Sequence, residues 1–241
     1  MLPDGKIRDV RVGAFWTAVV AEVNGATRCG LAATLFNIAD HHHTDQPDVR
    51  DAGNLLARDA RALAELARAS SRLEASIGVA TINALLPPPR ASFANINAEE
   101  VIAREGAGKR VALVGHFPFV PRLRERVGTL WVLEEQPRGD DLPASAATEI
   151  IPQSDVIALT GTTVINHTFD ALMALRRADA RVLVLGPSTP LSPILFEYGV
   201  DILSGAIVEN VEAVLRGVSE GASFRQLHRL GVQLVTMARA N

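Results

Sequence analysis

The chain has 241 residues, enough for one large or two small domains that can bury roughly 70–75% of the unfolded surface without disulfides or a structural metal. Hydrophobic residues at 48%, charged residues at 21% and a mean hydropathy of +0.16 exclude a disordered, fibrous or low-complexity protein. A formal net charge of -3 supplies no broad basic field, so neither nucleic acid nor an anionic membrane is an expected partner.

The only cysteine, Cys29, excludes an intrachain disulfide framework and any zinc or iron–sulfur site built from several thiolates of one chain. A metal must therefore be held by His, Asp or Glu, or by atoms of a ligand. The opening Met1-Leu2-Pro3-Asp4-Gly5 lacks a basic stretch followed by an apolar core, and no apolar run is long enough to span a bilayer. The expected compartment is the cytoplasm.

In chain order, Ile7–Val12 and Ala14–Val23 are rich in β-branched and aromatic residues, and Asn24-Gly25 supplies the positive φ angles of a tight hairpin. The return strand runs from Ala26 to about Leu35. From Ala52 the period becomes helical, with Leu55, Leu56, Leu63, Leu66 and Ala67 on one face. Ser71–Leu86 forms a second helix with Leu73, Ile77, Ala80 and Leu85 inward, and Pro87-Pro88-Pro89 ends it. These elements define an N-terminal α+β domain over residues 1–92.

Residues 93–241 follow a different grammar. Arg110–Gly115, Thr129–Leu133, Val156–Thr160 and Arg181–Gly186 are short continuous apolar runs, as expected of strands buried on both faces. Helices are expected over Pro121–Val127, Ala144–Ile151, Val164–Ala178 and Ser192–Tyr198. The alternation implies right-handed crossovers and a parallel sheet with helices on both sides, an α/β domain. Ile202–Val208 adds a fifth strand, and Val211–Val218 with Phe224–Ala238 closes the domain as helices.

In an open α/β sheet, ligands bind beyond the carboxyl ends of the strands. Those ends carry small and polar residues: Gly115-His116-Phe117-Pro118, Glu134-Glu135, Thr160-Gly161-Thr162-Thr163 with Asn166 and His167 soon after, Gly186-Pro187-Ser188-Thr189-Pro190, and Ser204-Gly205. Thr160–Thr163 and Gly186–Thr189 each precede an expected helix, where free amides and the helix dipole attract anions. The alternative is that Thr162, Thr163 and Ser188 only cap those helices.

Glu134 stands nineteen residues after Gly115, where a dinucleotide fold places the acid that grips a ribose. The loop after Gly115 is not G-x-G-x-x-G, however, and Phe117 and Phe119 obstruct a pyrophosphate, so an ordinary NAD site is not expected. His116 suits metal binding, proton transfer or a structural hydrogen bond. His41-His42-His43, between Asp40 and Asp45, reads as a solvated loop, because adjacent residues do not close around one ion. No G-x-S-x-G elbow, P-loop lysine or Schiff-base lysine is present, and Cys29 reads as packed.

Taken together, Gly115-His116-Phe117-Pro118, Leu133-Glu134 with Pro137 and Asp140, Thr160-Gly161-Thr162-Thr163 with Asn166 and Thr168, Gly186–Pro190, and Phe196-x-x-Gly199-Val200-Asp201 with Gly205 resemble the family described as putative heavy-metal chelation. Trp16–Val19, Gly30-Leu31-Ala32 and Ile82-Asn83-Ala84 extend the resemblance over nearly the whole chain. It implies an N-terminal domain similar to the enolase N-terminal fold, docked on a Rossmann-like C-terminal domain. It also implies a cleft between them faced by His116, Glu134, Thr162, Asn166, Ser188 and Asn83.

The expected ligand is a small anionic, heterocyclic or metal-bearing molecule, with a divalent metal ion as the cofactor and His116 and Glu134 as its ligands. Thr160, Gly161, Thr162 and Thr163, with Gly186, Pro187, Ser188 and Thr189, would receive oxyanions. A different class stays open at this point: an enzyme using His116 or Glu134 as acid or base on a pterin-like or nucleotide-like substrate, with no permanent metal. A two-fold homodimer is the simplest expected assembly.

Overall fold

The computed structural model of the chain describes residues 2–36, 48–87 and 97–239. Its first three strands, β1 (Lys6–Val12), β2 (Trp16–Val23) and β3 (Ala26–Ala33), form an antiparallel meander in the order β1-β2-β3. Val23 pairs with Ala26, and the hairpin between them has Asn24 at φ 51 and Gly25 at φ 76, the left-handed angles that an Asn-Gly turn supplies. The second strand starts at Trp16 rather than Ala14, because Gly13 donates its amide to the Trp16 carbonyl (2.9 Å) and turns the chain.

The helical pattern from Ala52 breaks into pieces. Leu55–Ala57 is one 3-10 turn, and Arg58 then becomes extended. Asp59 caps α1 (Ala60–Ala64) by accepting the Arg61 amide, and Glu65–Arg68 is a further 3-10 turn. Leu56, expected inward, is exposed. The next helix, α2 (Arg72–Leu85), starts where Ser71 accepts the Glu74 amide. Ile77, Ala80 and Leu85 are buried as expected, while Leu73 is half-buried. The expected division at residues 92 and 93 lies outside the described residues, as do His41, His42 and His43.

The second domain opens with α3 (Ala98–Glu105), which the apolar pattern did not announce and which Asn97 caps at the Glu99 amide. Then come β4 (Arg110–Val114), α4 (Val120–Arg124), β5 (Thr129–Glu134), a two-residue β6 (Leu142–Pro143) and α5 (Ala147–Ile150). After β7 (Val156–Thr160), the helix expected over Val164–Ala178 is two helices, α6 (Thr162–Ile165) and α7 (Phe169–Ala174). His167 at φ 60 separates them.

The chain continues through β8 (Arg181–Leu185), α8 (Ile194–Glu197), β9 (Ile202–Val208), α9 (Val211–Ser219), α10 (Phe224–Arg229) and β10 (Val232–Ala238). The single helix expected over Phe224–Ala238 is thus a helix and a strand. Gly231, at φ 109, stops the helix, and β10 pairs antiparallel with β9 from Val232↔Val208 to Ala238↔Ile202.

The large sheet has the order β10-β9-β8-β7-β4-β5-β6, with every pair parallel except β9 and β10. From β4 the chain fills one side of the sheet, then returns to β7 on the other side. The strand order therefore reverses between β4 and β7, which is where an open α/β sheet leaves a crevice. Alternate residues feed two cores. Ala112, Ile157, Leu159, Val182 and Val184 join Phe169 and Met173 of α7, while Val111, Leu113, Val156, Ala158, Leu183 and Leu185 join α3 and α4. Helices on both faces explain why these strands read as continuous apolar runs.

The meander is covered on both faces as well. Val19, Ala21, Val23 and Ala32 pack on α1 and α2, whereas Ala18, Val20, Cys29 and Leu31 pack on Val214, Leu215, Val218 and Leu227 of α9 and α10. The N-terminal sheet is therefore held between its own helices and those of the second domain.

Candidate functional site

The parallel ladder brings the carboxyl ends of β4, β5, β7 and β8 to one edge. Gly115, at φ 100, donates its amide to the Leu133 carbonyl (2.9 Å) and turns the chain off β4. A Cβ there would lie 3.0 Å from the Thr160 side chain, so the bend needs glycine for both angle and space. The turn points the His116 amide at Glu134.

Glu134 ties two strand ends together. Its Oε2 accepts the His116 amide (2.8 Å) and its Oε1 accepts the Glu135 amide (2.8 Å). Both carboxylate oxygens are thus engaged by the main chain, the pattern of a clasp. His116 in turn places Nδ1 2.8 Å from Asp141 Oδ2, and the same oxygen accepts the Arg138 amide at 3.2 Å. The Asp141 side chain is 2% exposed and that of His116 is 38% exposed. A carboxylate sealed under an imidazole fixes the ring in one orientation, with Nδ1 engaged. Phe117 stacks on Phe119 with centroids 5.1 Å apart and packs on the α3–α4 side of the sheet.

The threonines after β7 serve one another. Thr162 Oγ1 meets Thr160 Oγ1 at 3.1 Å, and Thr163 Oγ1 donates to the Thr160 carbonyl at 2.7 Å. Thr163 is buried and Thr160 and Thr162 half-buried. Gly161 sits so close to the β8 loop that a Cβ would be 2.6 Å from the Thr189 amide. Asn166 Oδ1 accepts from Thr168 Oγ1 (2.7 Å) and from its amide (3.3 Å). Its Nδ2 donates to Glu135 Oε1 at 3.1 Å.

The β8 loop faces the N-terminal domain. Ser188 Oγ accepts the Ala33 amide at the end of β3 (2.8 Å). Asn83 Nδ2 donates to the carbonyls of Leu31 (2.8 Å) and Ser188 (3.3 Å). Gly186 at φ 105 and Pro187 shape this loop, but the following helix, α8, starts only at Ile194. The dipole expected to act on Gly186–Thr189 is therefore displaced along the chain. Two buried oxygens in this seam, Asn83 Oδ1 and Thr189 Oγ1, have no partner among the described residues.

Residues named from the sequence thus fall into two groups. His116, Glu134, Thr160, Gly161, Thr162, Thr163 and Asn166 gather around the ends of β4, β5 and β7. Ser188 and Asn83, with Thr189 beside them, join the two domains. Three further residues belong with the first group. Asp141 holds His116, and Arg72 forms a two-bond ion pair with Glu135 (3.1 and 3.2 Å) across the domains. Glu135 was visible as the second acid of its pair, whereas nothing in the sequence separates Asp141 from Asp140.

Among the described residues no group of three or more His, Cys, Asp or Glu side chains is arranged to hold a metal. Burial, helped by the Asp9 charge, pushes the Cys29 thiol up to about 12, which removes it as a thiolate ligand at neutral pH. No helix among the described residues is long and apolar enough to cross a membrane.

A three-stranded α+β domain docked on a Rossmann-like domain, with polar residues crowding the switch-point edge, defines a two-domain α/β protein. The chain belongs to the family described as putative heavy-metal chelation: its main domain matches over residues 97–237 and its companion N-terminal domain over residues 1–86. A crystal structure of a family member of unknown function from Desulfitobacterium hafniense is similar over 98% of this chain and 93% of its own, with 28% identity and a TM-score of 0.83. Another, from Pyrococcus horikoshii, covers 97% of this chain and 93% of its own at 22% identity and a TM-score of 0.80, and supports the fold alone. An uncharacterised protein of Methanocaldococcus jannaschii is 25% identical over 219 residues, 88% of this chain and 82% of its own.

Proposed function

We propose that this cytoplasmic protein binds a small anionic or heterocyclic metal complex at the switch-point edge, in metal handling or metal-cofactor metabolism. The observation that carries this reading is the His116–Asp141 pair, 2.8 Å apart with the acid sealed and the ring half-open. Asp141 accepts the Nδ1 proton, so Nε2 presents its lone pair outward as a metal ligand held in one orientation. One imidazole is not a chelate. The remaining ligands of the ion must come from the molecule that carries it, and this is why the cargo is written as a complex rather than a free ion. Glu134 acts by fixing the loop that carries His116, and the family's description supports a metal-related ligand.

The same pair favours a second reading, proton transfer by His116 on a pterin-like or nucleotide-like substrate, because a carboxylate-oriented imidazole is also a general base. One experiment separates the two. Thermal shifts would be measured with free nickel, cobalt and zinc, their citrate complexes, pterins and nucleotides, on wild type, His116→Ala and Asp141→Asn. A ligand at 100 times its Kd stabilises the fold by about 2.7 kcal/mol, a rise of about 5–10 °C for a chain of this size. The metal reading expects a shift with metal complexes that His116→Ala abolishes and Asp141→Asn weakens roughly 10- to 100-fold in affinity. A shift given only by metal-free pterins or nucleotides, and lost in His116→Ala, selects the second reading. Shifts that His116→Ala retains in full refute both.

A further inference from the structure

A cavity of about 470 Å³ lies where the N-terminal domain meets α6, α7 and α8. This is within the range of small-molecule sites, roughly 300–1,000 Å³. It shares only Thr163 with the residues assigned to the switch-point edge, and the Thr163 hydroxyl is already donated to the Thr160 carbonyl. His167, where the chain breaks the expected helix, lines this cavity. That residue holds φ 60, a left-handed angle uncommon for a side chain with a Cβ, while Nε2 reaches the Ala67 carbonyl of the other domain at 2.9 Å. Backbone strain of this kind clusters at ligand sites.

The groups lining this cavity are chemically distinct. Val164, Phe169 and Leu195 give it an apolar surface, and Tyr198 stands at its rim, 62% exposed. Arg68 brings a guanidinium whose one ion pair among the described residues, to Glu65 at 3.3 Å, joins two side chains that are 86% and 67% exposed. Such a pair is readily given up. The carboxylate of Asp170, in the first turn of α7, makes no hydrogen bond or ion pair among the described residues. A carbonyl only accepts, so His167 Nε2 carries the hydrogen toward Ala67 and Nδ1 of the neutral ring remains an acceptor. One cation, one carboxylate, one further acceptor and an apolar wall thus line the same space.

We infer that this cavity binds a small zwitterion of the amino-acid type, an α-amino carboxylate with an apolar or aromatic side chain. Arg68 receives the carboxylate in a two-bond fork. Asp170 and His167 Nδ1 receive the ammonium group, and the ligand's side chain lies against Val164, Phe169 and Leu195. This inference is independent of any ligand at His116.

Calorimetric titration of the full chain with phenylalanine, leucine and methionine tests it, together with phenylpropionate, which lacks the amine, and phenethylamine, which lacks the carboxylate. The amino acids bind and each truncated analogue binds roughly tenfold or more weakly, the loss expected for a charge-assisted bond. Arg68→Gln weakens phenylalanine by a similar factor yet leaves phenethylamine unchanged, and Asp170→Asn does the converse with phenylpropionate unchanged. Both side chains are exposed, so these variants fold, and a melting curve verifies this. His116→Ala leaves phenylalanine binding intact. The inference is overturned if no amino acid binds at roughly 10 mM, if Arg68→Gln and Asp170→Asn bind phenylalanine as wild type does, or if His116→Ala abolishes binding.

Discussion

Glu134 and Glu135 are neighbours of the same type at the end of one strand, and the structure assigns them unequal losses of stability on neutralisation. In Glu134→Gln, the carboxylate that accepts the amides of His116 and Glu135, each at 2.8 Å, becomes a group with one accepting oxygen and one NH2 that only donates. A hydrogen bond to a charged group is worth about 1.5–3 kcal/mol and a neutral one about 1 kcal/mol. One bond is lost outright and the other weakened, about 2.5–4 kcal/mol in all, which half-burial of the side chain reduces to about 2 kcal/mol. For a chain of 241 residues that lowers Tm by about 4–8 °C. Glu135→Gln breaks the ion pair to Arg72, whose side chains are 33% and 46% exposed. Exposed pairs contribute about 0.2–1 kcal/mol, so its Tm falls by no more than about 4 °C. Differential scanning calorimetry of the two variants at neutral pH decides the matter. If Glu134→Gln melts within about a degree of wild type, or no lower than Glu135→Gln, the clasp is not a structural element and Glu134 returns to the ligand side of the site.

Two further outcomes follow from the same geometry. Asp155 accepts the Arg110 side chain (2.9 and 3.0 Å), its amide (3.0 Å) and Arg177 (3.2 Å). The Arg110 hydrogen bond foremost holds its carboxyl well below the usual carboxylate range. Because the folded pKa is depressed, the stabilisation is complete above the unfolded value of about 3.9 and disappears as pH falls through the folded value. Urea unfolding should therefore find Asp155→Asn less stable than wild type at neutral pH, with the gap narrowing below about pH 4; a gap constant with pH contradicts the assignment. At Gly30, β3 lies directly against α2, and an added Cβ would stand 2.1 Å from the Ala80 carbonyl and 2.3 Å from the Ala84 amide. Backbone on both sides cannot give, so Gly30→Ala should cost at least about 1–3 kcal/mol in chemical denaturation; an unchanged midpoint would mean that the helix and strand separate freely.

Much of the fold was legible because it is written in local signals. Asn24-Gly25 marks its hairpin, and the apolar runs around Val111, Val132, Ile157 and Leu183 mark strands covered on both faces. What escaped depends on distant partners. Val232–Ala238 reads as the end of a helix until β9 provides the antiparallel ladder that makes it a strand. The break at His167 has no periodic signature, since it is made by Asn166 bonding to Thr168 and Glu135 and by the ring reaching Ala67. For the site, convergence of the polar strand ends followed from parallel pairing alone. Which of those residues would be occupied did not, because Ser188 meets Ala33, Asn83 meets Ser188 and Arg72 meets Glu135 only once the two domains dock.

That docking changes what the candidate residues can do. The N-terminal sheet has apolar cores on both faces, one with α2 and one with α9, so the domain is wedged in place rather than hinged as a lid. Ser188 and Asn83, which by residue type look like ligand contacts, are used as joints of this wedge. Thr163 is turned inward, and Glu134 has both oxygens occupied by amides. Leaving Asn83 Oδ1 and Thr189 Oγ1 buried without partners among the described residues costs about 1–3 kcal/mol each, a penalty the surrounding apolar contact offsets. On the proposed reading, binding strength at the switch-point edge would come from groups the fold has oriented but not used, above all the ring nitrogen of His116 that Asp141 does not engage. A ligand reaching it meets a preformed surface, so its affinity should be governed by the chemistry of that nitrogen rather than by closure of the domains.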